Sequence, residues 1–198
     1  MEKNELWAQY TDLNNKKISI GVQNSSVELI SDHQYHQTLR VICCKARRRI
    51  YASMFIVELL PDQDKAKDNK EIRPTIVVEF LEELRNAYLR GIDVRIIVGG
   101  SGGNIHIQDE TEAAFAHCQK MRIPCRLAAA VSEKTCHKKV VVADDMILSG
   151  SHNWSYGAFS GQIQDSVLIQ DPRMASYVAS RIAQHWRLLD GGTLNEKI

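Results

Sequence analysis

The sequence predicts a single α/β domain built on a mixed sheet with helices on both of its faces, and three observations predict it. Residues 74–90 carry an apolar stripe at helical spacing and lead directly into the short apolar run 94–98, which makes one αβ unit. Residues 50–57 form a second apolar run, of the length of a strand buried on both faces. Residues 137–149 read as two strands joined by a tight reversal at Asp144 and Asp145, which adds an antiparallel hairpin.

In chain order, residues 1–16 form an N-terminal extension in which Leu6, Trp7, Tyr10 and Leu13 share one helical face, and the domain core runs from about residue 17 to 190. Residues 18–22 alternate as a strand, a turn follows at 24–26, and 27–30 is a second short strand. Ser31 and Asp32 are both competent N-caps for a helix that ends near Arg48 and buries Leu39, Ile42, Cys43 and Ala46. The basic end of that helix, Lys45, Arg47, Arg48 and Arg49, has two readings. It complements the helix macrodipole, or it is a phosphate-contacting patch along a substrate path. The charged loop 60–73 is either solvated surface or one wall of a site mouth.

Pro74 opens the helix that reaches Arg90 with Val77, Phe80, Leu81, Leu84 and Tyr88 inward, and Gly91 stops it. Residues 99–104, GGSGGN, fit neither the Walker nor the dinucleotide pattern and read as a flexible loop or a backbone that approaches phosphate; His106 beside them is a surface residue. Residues 108–121 are helical, and Pro124 marks 123–127 as an edge strand or the start of one. After the hairpin, a short helix at 153–159 would turn its amides toward Ser151 and Asn153. A strand at 163–169 carries Asp165, and Pro172 opens a closing helix with Val178, Ile182, Trp186 and Leu189 inward.

At 198 residues the chain suits one domain, and 44% apolar with 25% charged residues is ordinary for a globular protein. A net charge of +1 gives no global field for nucleic acid or anionic lipid, so any such attraction is local. No apolar run reaches about 18 residues and no signal-peptide core is present, which predicts a cytoplasmic protein with no membrane partner. Five cysteines without CxxC spacing predict reduced core thiols and no zinc site.

The chemistry is concentrated in residues 136–154, CHKKVVVADDMILSGSHNW. Alternation sets His137 and Lys139 on one side of a strand, and the hairpin returns Ser151 and Asn153 beside them. An imidazole, a fixed cation, a hydroxyl and an amide in one small volume suit an anionic phosphorus centre better than a carbonyl. His152 lies within the same element, but alternation turns its side chain away from those of Ser151 and Asn153.

This pattern resembles the HKD signature of the phospholipase D superfamily, HxKxxxxD followed by GSxN, with His137, Lys139, Asp144, Gly150, Ser151 and Asn153 at the matching positions and Asp145 as a rival for the acid. The likeness, which extends over roughly residues 25–190, implies a phospholipase D-like fold and metal-independent phosphodiesterase chemistry through a covalent phosphohistidine, with no cofactor and no metal. Imidazole suits it because acid and base forms are both available near neutrality. Lys139 would neutralise the non-bridging oxygens, and Ser151 with Asn153 would donate hydrogen bonds. Asp165 stands where the family commonly has an acid that orients the imidazole; otherwise it is an exposed strand aspartate. Asp144 would serve the turn and Gly150 the motif's backbone. A single motif implies a homodimer in which two His137 residues share one site. The expected function is a nuclease on DNA or RNA. The alternatives are a lipid phosphodiesterase or phosphatidyl transferase, and a nucleic-acid-binding subunit of a larger nuclease complex.

Overall fold

The computed structural model describes residues 25–59, 75–100, 104–128 and 135–190. Its elements are β1 (Ser26–Ser31), α1 (Gln34–Lys45), β2 (Arg49–Met54), α2 (Ile76–Leu89), β3 (Asp93–Val98), α3 (Ile105–Lys120), β4 (Cys125–Leu127), β5 (Lys139–Ala143), β6 (Met146–Gly150), α4 (Tyr156–Ser160), β7 (Asp165–Gln170) and α5 (Pro172–Leu189). Among the described residues seven strands form one sheet in the order β1-β7-β6-β5-β2-β3-β4. β2, β3 and β4 run parallel, whereas every pairing from β2 through β5, β6 and β7 to β1 is antiparallel, so the sheet is mixed as expected.

Both faces of the central strands are covered, which is why β2 and β5 read as nearly continuous apolar runs. On one face Ala52, Ile96 and Val141 pack against Leu39 of α1 and Phe80 and Leu84 of α2. On the other, Tyr51, Ile97 and Val142 meet Ala175, Ala179 and Ile182 of α5. α5 is the sole helix on that face among the described residues and lies over β2 to β6. Among the described residues no helix covers the β1 end there, and Val27 and Leu29 are 60% and 67% exposed.

Several boundaries differ from expectation for identifiable reasons. α1 begins at Gln34 and ends at Lys45, and neither Ser31 nor Asp32 caps it. Asp32 adopts a left-handed φ of 52°, and its carboxylate accepts the N–H of Gln164 at 3.0 Å, while the Ser31 hydroxyl bonds across the sheet. α2 buries Ala87 in place of Tyr88, which lies on the exposed flank. α3 starts three residues early because Asn104 caps it, accepting from the N–H groups of His106 and Ile107. In α5 the buried line runs through Ala175, Ala179, Ile182 and His185, with Val178, Trp186 and Leu189 beside it, because small residues let the helix approach the sheet. Gly91, at φ 89°, ends α2, and β4 is the edge strand that Pro124 announced. The expected helix in 1–16, the strand at 18–22, the loop 60–73, Pro74 and residues 101–103 lie outside the described residues.

Candidate active site

The β5–β6 hairpin pairs Val140 with Ser149 through Ala143 with Met146, leaving Asp144 and Asp145 as a two-residue reversal. Asp144 takes the left-handed conformation, φ 51°, that such a reversal demands and that aspartate tolerates. The open end of the hairpin therefore carries His137 and Lys139 on one side and residues 151–153 on the other. Ser149 Oγ donates to the Lys139 carbonyl at 3.1 Å and ties the two sides together.

His137 is exposed and Lys139 half-buried. Lys139 Nζ stands 3.2 Å from His137 Nδ1 and 3.3 Å from Nε2. An ammonium only donates, so whichever ring nitrogen carries the lone pair faces a cation. Beneath them lies Phe55, its ring centroid 4.3 Å from that of His137 and 4.8 Å from Lys139 Nζ. Burial, and after it the Lys139 charge, holds the His137 imidazole below its ordinary range. Burial lowers the Lys139 ammonium too, with Cys136 opposing. The pair thus favours a neutral, nucleophilic imidazole near neutral pH.

Gly150 is required by packing. A Cβ there would meet Ser166 Oγ at 2.3 Å and the Asp165 carbonyl at 2.4 Å, so β6 and β7 reach this spacing only with glycine. Ser151 continues the seam. Its N–H and its Oγ both donate to the Asp165 carbonyl, at 2.9 and 3.0 Å, and its Oγ accepts from the Asp165 N–H at 3.2 Å. Its one hydroxyl proton is therefore held by backbone, and in this geometry Ser151 fastens the loop to β7 where a donor to substrate was expected. Asn153 is half-buried, and its Oδ1 is buried with no hydrogen-bond partner. α4 starts at Tyr156, later than expected, and its first amides are occupied: Ser155 Oγ accepts from Ala158, and Glu58 Oε2 from Tyr156.

Between Ser151 and Asn153, His152 points away from both, as alternation predicted, and is fully buried among partners that were not foreseen. It stacks on Tyr35 at 4.3 Å with the rings parallel. Nε2 lies 3.1 Å from the Asp32 carbonyl, which only accepts, so Nε2 carries the proton; Nδ1 then accepts from Ser166 Oγ at 2.8 Å. Burial holds this imidazole below its ordinary range against the opposing influence of Asp32 and Asp165. Phe55 was likewise read only as strand core. No sequence signal distinguishes it from its apolar neighbours.

Two expectations are corrected. Asp165 does not hold an imidazole of its own chain: it pairs with Ser31 across β1–β7, and its Oδ1 accepts from Ser31 Oγ at 2.6 Å. The basic cluster does not border the His–Lys pair. Arg49 begins β2 whereas Met54 at its other end pairs with Lys139, so roughly 16 Å of strand separates them. Lys45 closes α1, and the backbone N–H groups of Arg47, Arg48 and Arg49 all donate to the Asp144 carboxylate, at 2.8, 3.0 and 3.0 Å. Arg48 also pairs with Asp145 at 2.6 Å. Burial would raise the Asp144 carboxyl, but these three amides and the Arg48 charge outweigh it and hold the group below the usual carboxylate range.

A groove of about 580 Å³ runs from His137 and Lys139 between the sheet and α5, floored by Val140, Ile147, Ile169, Val178 and Ile182. Lys138, Lys139 and Arg181 border it, and among the described residues its lining contains no carboxylate. Among the described residues no group of three or more His, Cys, Asp or Glu side chains is placed to hold a metal ion, and no helix is long and apolar enough to cross a membrane.

None of the curated proteins compared with this chain matches it. Among solved structures, the phospholipase D family member Nuc from Salmonella typhimurium superposes with a TM-score of 0.61 at 18% identity, over 82% of this chain and 95% of that one. NucT from Helicobacter pylori gives 0.57 at 17% identity, over 82% and 96%. Phosphatidylserine synthase from Haemophilus influenzae Rd KW20 gives 0.60 at 16% identity, over 88% of this chain and 44% of that one. These likenesses establish the fold. The family model described as "Cardiolipin synthase, PLD-like domain" matches residues 44–186, which include the hairpin and its open end, and the chain therefore belongs to the phospholipase D-like family.

Proposed function

We propose that the protein is a phosphodiesterase that cleaves nucleic acid through His137 in a site completed by a second copy of the chain. The observation that carries this reading is the His137–Lys139 pair at the open end of the hairpin, at the head of a groove that, among the described residues, is bordered by three cations and no carboxylate. A polyanionic backbone is favoured at such a place even though the whole chain is almost neutral. The neutral imidazole attacks phosphorus, forming the N–P bond as the P–O bond to the leaving group breaks. Lys139 balances the charge on the non-bridging oxygens, and Asn153 borders the same space. The leaving oxygen takes a proton from the second copy's His137 in its imidazolium form, protonated beforehand from solvent. That imidazole then accepts a proton from water as water displaces the first histidine. These 198 residues hold one such motif, and the need for a second imidazole at the leaving oxygen supports a second copy of the chain at the site.

A second reading has one observation in its favour. The groove floor is apolar, which suits the acyl portion of a lipid phosphodiester, and one fold relative is named as a phosphatidylserine synthase. Assaying single-stranded DNA, duplex DNA, RNA and phosphatidylcholine vesicles in EDTA separates the two. Cleavage of a nucleic acid is expected, with a fall of several orders of magnitude for His137→Ala at little change in stability. Cleavage of the lipid alone selects the second reading. Activity lost in EDTA and restored by Mg²⁺ or Mn²⁺ overturns the mechanism.

A further inference from the structure

Phe55 lies immediately after Met54, the residue of β2 that pairs with Lys139, and its side chain is only 7% exposed. It is not simply a core residue that happens to end a strand. Its ring packs at 47° against the exposed imidazole of His137 and also has the Lys139 ammonium 4.8 Å from its centroid. These are the only two charge-bearing side chains of the motif at this end of the hairpin, and one aromatic ring contacts both. An aliphatic side chain of similar volume would fill the space, but only a ring attracts an ammonium through its quadrupole.

The backbone beneath is fixed from the other side. The Gly99 N–H donates to the Met54 carbonyl at 2.6 Å, and a Cβ at position 99 would lie 2.9 Å from Phe55 Cα and 2.4 Å from the Cys136 carbonyl. The end of β3 is thereby wedged between the residue that carries the ring and the residue before His137. Gly99 is thus a packing requirement of the site rather than a flexible hinge.

We propose that Phe55 is a positioning residue, an aromatic floor that holds the Lys139 ammonium against the His137 imidazole and limits the rotation of both. It rests on the reading that this pair performs the chemistry. Among the described residues, the other charged and titratable groups around the pair are Lys138 from the hairpin, Arg181 from α5 and the buried Cys136 thiol, 3.7 Å from Ser53 Oγ. A change in His137 titration on altering Phe55 is therefore a change in its burial and in the placement of Lys139.

Phe55→Leu and Phe55→Tyr in the full chain test this, with Phe55→Met as the volume-conserving substitute if the leucine variant does not fold. Two readouts are taken: kcat and KM on bis(p-nitrophenyl) phosphate, and the NMR titration of the His137 ring protons. Phe55→Leu or Phe55→Met should lower kcat about tenfold with KM within about twofold, the size of a lost cation–π contact expressed as rate. Either should also move the His137 titration upward, while Phe55→Tyr stays near wild type in both. Wild-type kcat per folded molecule together with an unmoved titration in these variants overturns the proposal, and so does a lowered melting temperature as their sole effect. If the wild-type protein cleaves no phosphodiester, the functional reading has failed, and the titration still decides whether Phe55 positions the pair.

Discussion

Replacing Asp144 tests whether the acid of the motif serves the fold or the chemistry. Its carboxylate accepts three backbone N–H groups, those of Arg47, Arg48 and Arg49, and its side chain is 23% exposed. Hydrogen bonds to a charged acceptor are worth about 1.5–3 kcal/mol each when water cannot replace them. Here two of the three amides are at the surface, so about 1 kcal/mol each is the appropriate scale. Alanine also pays for the left-handed φ of 51°, about 1 kcal/mol. Asp144→Ala should therefore destabilise by about 4 kcal/mol, which in a domain of this size lowers the melting temperature by about 8–16 °C. Asp144→Asn tolerates the φ and keeps one acceptor, so about half of that is expected. Asp145→Ala removes only the exposed pair with Arg48, worth under about 1 kcal/mol. The assay is urea unfolding together with activity per folded molecule, which should be retained throughout. Because the folded pKa of Asp144 is depressed, its contribution is complete above the unfolded carboxylate range and disappears as pH falls through the folded value. The gap between wild type and alanine variant should narrow in acid. An Asp144→Ala protein that is fully stable but inactive would refute this reasoning, as would a loss below about 1 kcal/mol.

Two further outcomes are expected. Burial, and after it the Lys138 charge, pushes His185 down to about 4 from an ordinary 6.5, so the unfolded state binds the proton first. Roughly 3 kcal/mol of stability should be complete above pH 6.5 and lost as pH falls toward 4, and melting curves of His185→Gln should have a visibly shallower acid limb; an unchanged limb would exclude the assignment. For the composite site, a ninefold excess of His137→Ala subunits should leave about one dimer in a hundred with both histidines, against about one tenth of the activity for independent sites. Full specific activity from a species that light scattering finds strictly monomeric would contradict it.

The hairpin was legible because its information is local. Alternation sets the side of each residue, and Asp144 can adopt the conformation its reversal needs. The helices were legible for the same reason, although capping was misassigned at Ser31 and Asp32, whose side chains are recruited by Gln164 and Asp165 from the far end of the chain. Asp165 shows the limit of positional analogy. Its place in the sequence matched the motif, but the strand beside it supplied a serine hydroxyl before any imidazole could. His152 looked like a filler in GSxN because its partners come from elsewhere in the chain: Asp32 from the turn after β1, Tyr35 from α1 and Ser166 from β7. The arginine cluster could be placed only once β2 was known to run from Arg49 toward Lys139, which makes the cluster and the pair opposite ends of one strand.

The pairing of β1 with β7 also constrains the order of events during synthesis. Ser31 and Asp165 are 134 residues apart, so at about 5–20 residues per second β1 waits roughly 7 to 27 seconds on the ribosome for its only partner among the described strands. Through that interval Val27 and Leu29 lie on a strand with neither edge paired, a target for chaperones and for other nascent chains. The same delay acts as a safeguard. Asp32 and Tyr35 cannot clasp His152, and Ser151 cannot close on Asp165, until residues 152 to 165 have emerged, so the GSxN loop is assembled only after the other six described strands have been made.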